Sequence, residues 1–75
     1  MFNVNDVIQF NENHGWCGCL GIINEVKKYD EDTRYLVGVP APQQGTAYIF
    51  VMESDNAIEY IGRAVLIANS EEEVK

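Results

Sequence analysis

Short apolar runs separated by polar turns recur along most of the chain, and their spacing predicts strands. Asp6-Val7-Ile8-Gln9-Phe10 is the first run, after the turn-forming Asn5-Asp6. Asn11 to Gly15 is polar and rich in turn formers, which predicts a loop. The longest strand candidate runs from Trp16 to Val26. Its even positions read Trp, Gly, Leu, Ile, Asn, Val, and its odd positions read Cys, Cys, Gly, Ile, Glu. The even face is the more apolar, so Leu20, Ile22 and Val26 are expected to line the core. Gly18 and Gly21 are costly in a flat strand and mark bends or close backbone approach.

Lys27 to Thr33 reads as a charged hairpin loop, and Arg34 to Val39 as the returning strand with Tyr35, Val37 and Val39 on one side. Two prolines in Pro40-Ala41-Pro42-Gln43-Gln44-Gly45 remove ladder donors, so this segment is expected to be a connection. Thr46 to Met52 follows with both faces apolar, and Glu53 to Asn56 is a further turn. Ile58 to Ile61 and Arg63 to Ile67 are two more short runs split by Gly62, and Glu53 to Ile61 also permits one helical turn. The abundance of Val, Ile, Tyr and Phe favours strands elsewhere. Five or six short antiparallel strands in so small a chain imply an all-β, closed or nearly closed barrel, since closure removes exposed edges.

Length and charge narrow the picture. Seventy-five residues suffice for one domain, assigned to 1–69, followed by a solvated acidic tail at 70–75 with three consecutive glutamates. A chain this short buries roughly 60% of its unfolded surface, and 47% hydrophobic residues support one small core. The net charge is −7, and residues 1–69 still carry nine acids against four bases. Affinity for nucleic acid comes largely from Lys and Arg on phosphates, so this balance argues against nucleic-acid binding and against anionic lipid surfaces. The N-terminal sequence shows neither the basic region nor the apolar run of a secretion signal, and no run approaches a membrane helix. Cys17 and Cys19 lie two apart, a spacing that strains a disulfide on a strand, so free thiols and a cytoplasmic location are expected.

The order Asp6-x-Ile-Gln-Phe, polar loop, Gly18-Cys-Leu-Gly21-Ile-Ile, polar loop, Tyr35-Leu-Val-Gly-Val resembles the opening of SH3-like barrels. It looks most like their KOW-type and photosystem-accessory-subunit branches, over roughly residues 4 to 67. Asn5 stands where those families usually carry a glycine, and the basic residues with which KOW modules hold RNA are not apparent. The resemblance therefore implies a fold and not an activity.

Three groups of residues carry candidate chemistry. His14, Cys17 and Cys19 form the densest cluster of potential ligands, one short of a tetrahedral zinc set, and suggest a thiol or metal module as the alternative function. Structural packing of the cysteines is the simpler explanation, and no metal or cofactor is assigned. His14 is the sole histidine, and no aligned nucleophile or phosphate-cradling loop accompanies it, so no enzyme activity is expected. Among the aromatics, Trp16, Tyr35, Tyr48, Phe50 and Tyr60 are the candidates for an exposed shelf with His14 and Trp16 at its rim, and Gln43 and Gln44 offer polar contacts in the proline loop. The leading expectation is a non-enzymatic interaction or accessory module that binds another protein or its own copy through His14, Trp16, Tyr35, Tyr48, Gln43 and Gln44.

Overall fold

The computed structural model describes residues 1–41, 43 and 45–64, and the expected acidic tail and the end of the last expected strand lie outside them. Five antiparallel strands form one sheet: β1 (Asp6–Phe10), β2 (Leu20–Lys28), β3 (Thr33–Ala41), β4 (Gly45–Met52) and β5 (Ile58–Arg63). Their order across the sheet is β4-β3-β2-β1-β5. A single 3-10 turn, Glu53–Asp55, occupies the place where one helical turn was allowed.

The sheet packs one face against a single core but does not close into the expected barrel. Its edges, β4 and β5, are consecutive in the chain yet lie at opposite ends of the sheet. The reason sits in the 3-10 turn that joins them. The Asp55 carboxylate accepts the Met52 N–H at 3.1 Å, on the side of β4 away from β3. Asn56 then takes the left-handed conformation (φ 50) and turns the chain toward β1.

Strand parity decides which side chains enter the core. Ile8 and Phe10 on β1, Ile23 on β2, Tyr35, Val37 and Val39 on β3, Val51 on β4, then Ala57 and Ile58, are all buried. Phe2, Val26 and Ile49 pack against them. The expected even face of β2 is corrected here: Leu20 and Ile22 point outward, at 49% and 39% exposure, while Gly21 and Ile23 point in. The cause is a β-bulge. Ile23 pairs with Val37 and Glu25 with Leu36, which leaves Asn24 as the extra residue. A one-residue bulge reverses the faces of everything beyond it, so Val26 returns to the core side although Ile22 does not.

Two boundaries also differ from expectation. β2 starts at Leu20 rather than Trp16, because the preceding residues spend their backbone groups on tight turns: Cys17 N–H to the His14 carbonyl, Cys19 N–H to the Trp16 carbonyl. β3 runs on through Pro40 and Ala41. Pro40 is tolerated there because its last registered neighbour is Thr46 of β4, whereas β2 pairing ends at Gly38. The two apolar runs split by Gly62 form one strand as far as Arg63, with a second irregularity between Val7 and Ile8 where β5 crosses β1.

Gly21 shows where the close approach of β3 requires a glycine. A Cβ there would stand 2.6 Å from Val37 Cγ1 and 3.1 Å from the Gly38 carbonyl oxygen. At Asn5, φ is 78, a left-handed conformation open to Asn as well as Gly.

Candidate functional site

The residues expected to bind do not assemble in one place. His14 and Trp16 belong to the β1–β2 loop and pin it to the core. The His14 ring packs on Phe10 with centroids 4.6 Å apart, and Trp16 meets Phe10 edge-on at 5.9 Å. His14 Nδ1 accepts the Trp16 backbone N–H at 3.0 Å, which commits one ring nitrogen to holding the turn. Cys17 and Cys19 follow as exposed free thiols. Among the described residues, no group of three His, Cys, Asp or Glu side chains is placed to hold a metal ion.

Tyr35 is corrected from a contact residue to a core residue. It has no exposed surface, because odd positions of β3 face inward. Its hydroxyl donates to Glu53 Oε1 and accepts the Phe2 N–H. Burial above all, then the Glu53 bond, pushes its pKa up to about 12. Gln43 is exposed at the tip of the β3–β4 hairpin, and Gln44 lies outside the described residues.

Tyr48, by contrast, is 59% exposed and stands on the outer face of the sheet. Around it the structure gathers side chains that the sequence reading had assigned elsewhere. Val7 pairs with Ile22, Ile22 with Gly38, and Gly38 with Tyr48, so these four form one row across β1 to β4. Gly38 is the floor of this row. Its missing side chain lets Tyr48 Cε1 and Thr46 Cγ2 approach to 3.2 Å of where a Cβ would sit.

Two shallow hollows flank the row. Ile22, Asn24, Gly38, Pro40, Thr46 and Tyr48 enclose about 180 Å³. Val7, Leu20, Gly21, Ile22 and Pro40 enclose about 210 Å³ with an entirely apolar lining. Each is smaller than the roughly 300–1,000 Å³ of a small-molecule site, and suits single side chains of a partner better than a free ligand.

One end of this face is basic in an otherwise acidic molecule. Arg34 CZ lies 4.1 Å from the centroid of the exposed Phe50 ring, and both Arg34 and Lys27 reach the Tyr29 ring, at 5.8 and 5.7 Å. Such stacking fixes the cations in place without cancelling their charge. Among the described residues the sole ion pair is Arg63 with Asp6 at 3.6 Å, on the far edge. Lys27 and Arg34 therefore present unneutralised charge beside Phe50.

Phe50, like Tyr48, was among the aromatics expected on an exposed shelf and is exposed, whereas Leu20, Ile22 and Gly38 were the residues of this face that sequence reading missed. One signal for them existed: β4 is apolar on both faces, and a 75-residue chain has no second layer with which to cover both. No helix among the described residues is long and apolar enough to cross a membrane. Comparison with family models, curated proteins and solved structures gives no match, so the outer face is interpreted from its own geometry.

Proposed function

We propose that the protein is a non-catalytic protein-interaction module whose contact surface is the outer face of β2, β3 and β4. The observation that supports it is the uncovered row of Ile22, Gly38 and Tyr48, flanked by Leu20 at 49% and Phe50 at 55% exposure. Contiguous exposed apolar surface on a small domain marks an interaction site more often than a solvated face. The partner is an apolar peptide segment with an acidic flank: its side chains enter the two hollows, and its carboxylates meet Lys27 and Arg34.

The reading is tested by selecting binders from a displayed random-peptide library and mapping each by amide chemical shifts. Apolar sequences with Asp or Glu on one side, perturbing Ile22, Gly38, Tyr48 and Arg34, support it. Binders that map to the His14–Cys19 loop, or a selection that yields none, overturn it.

A further inference from the structure

The two edges of the sheet are built differently. β5 is short, meets an irregularity beside Val7 and Ile8, and carries Glu59 and Arg63. β4 pairs with β3 through every residue from Gly45 to Met52 without a bulge, and contains no charged residue and no proline. A long, regular, uncharged edge is a template for another strand.

The backbone fixes which residues of β4 face the edge left unpaired among the described residues. In an antiparallel pair, hydrogen-bonded and non-bonded pairs alternate. Pro40 has no N–H to give Thr46, its partner. At the other end of the strand, the Met52 N–H is turned away from its partner Arg34 and bonds Asp55. The Tyr29 N–H bonds the Asp32 carbonyl at 2.8 Å, and the same alternation then directs Arg34 toward β2. All three place the even residues of β4 in the non-bonded pairs with β3. Thr46, Tyr48 and Phe50 therefore point both N–H and C=O outward, and their side chains lie on the outer face.

We propose that β4 pairs antiparallel with β4 of a second copy of this chain, about a two-fold axis through Tyr48. A two-fold pairing needs a strand that is complementary to itself, and this register provides it. Tyr48 bonds its own symmetry mate reciprocally, Thr46 bonds Phe50 of the mate, and Phe50 bonds Thr46. The pairing ends where Asp55 already occupies the Met52 N–H. Charge favours a second copy in the same way. Two chains of net charge −7 repel each other, yet from Thr33 to Met52 the only charged residue is Arg34, so the acids of both copies stay off the axis. The resulting ten-stranded sheet sets the two outer faces side by side. This inference goes beyond the peptide-binding reading and does not depend on it.

Sedimentation equilibrium over a wide dilution series, combined with amide exchange, tests the pairing in the full chain. The expected result is a reversible dimer. In dilute samples the Tyr48 and Phe50 amides exchange fast while those of Ala47 and Ile49 are protected, and at high concentration Tyr48 and Phe50 become protected too. Tyr48→Lys sets two like charges together on the axis and should abolish the dimer. Tyr60→Lys, on the β5 edge, and Ile22→Asp, on the face but away from the edge, should keep it. A monomer mass at the highest soluble concentration overturns the proposal, as does a dimer that Tyr48→Lys leaves intact. An edge protected only when a selected peptide is added also overturns it, while leaving the face-binding reading in place. Loss of peptide binding in Ile22→Asp with the dimer retained separates the two.

Discussion

Tyr35 and Glu53, eighteen residues apart, are joined by a hydrogen bond of 2.5 Å from the tyrosine hydroxyl to the Glu53 carboxylate. It connects the centre of the core to the 3-10 turn that ends β4. The same oxygen accepts the Phe2 N–H at 3.1 Å, and the Phe2 ring packs edge-on against Tyr35, so the N-terminal segment is held there too.

Removing that hydroxyl should loosen both attachments. Tyr35→Phe leaves the Phe2 N–H and the Glu53 carboxylate without their partner, for a cost of about 1–2 kcal/mol. The melting temperature is expected to fall by roughly 4–8 °C per kcal/mol in a domain of this size. The wild type also has an alkaline limb. Folded Tyr35 holds its proton to about pH 12, whereas the unfolded side chain releases it near 10.0. Its contribution is complete below pH 10 and is lost as pH rises through 12. Urea midpoints measured across that window should decline less steeply in Tyr35→Phe.

Asp32 gives an acid limb of opposite sign. Its carboxylate accepts the Ser54 hydroxyl and the backbone N–H groups of Thr33 and Ser54, and these bonds, the Ser54 hydroxyl first, hold its pKa below the usual 3.8. A depressed folded pKa contributes stability above pH 3.8 that disappears as pH falls through the folded value. Ser54→Ala should flatten this acid dependence in urea titrations below pH 4.

Glycines of the sheet should differ sharply in their response to alanine. Gly21→Ala drives a methyl into Val37 and the Gly38 carbonyl and is expected to cost about 1–3 kcal/mol by overpacking. Gly38→Ala meets side-chain atoms alone, of Thr46 and Tyr48 at 3.2 Å and of Asn24 at 3.5 Å. It should be milder in thermal unfolding but should fill the hollow and weaken selected peptides. Gly62→Ala meets nothing within 4 Å, so its melting curve should stay close to wild type.

Both thiols should react with a disulfide reagent in the native state, since Cys17 and Cys19 are exposed and free. A Cys17→Ser, Cys19→Ser double variant should keep its melting temperature, as exposed substitutions usually lie within about 0.5 kcal/mol. It should also keep peptide binding. Loss of binding would restore the thiol reading of this loop.

The strands were legible in the sequence because alternation and turn residues report local backbone states. Tyr35, Val37 and Val39 show this directly: their spacing placed them on one side of a strand, and that shared side is the buried one. β2 misled because periodicity assumes an unbroken register, and a bulge at Asn24 leaves no mark in the sequence that distinguishes it from an ordinary strand residue. Tyr35 was assigned to the surface through its chemical type, although it shares a strand side with Val37 and Val39, and that side is buried. The outer face emerged only when β2, β3 and β4 were laid side by side, since Ile22, Gly38 and Tyr48 are far apart in the chain and adjacent only across the ladder.

The irregular β5 strand limits how large an assembly this sheet can form. Once two molecules have joined through β4, the rims left over are a pair of β5 strands, each kinked beside β1 and bearing Glu59 and Arg63. Neither offers the straight, neutral border on which a third subunit would stack. A dimer paired in the proposed way would thus stop at two rather than polymerise into fibres.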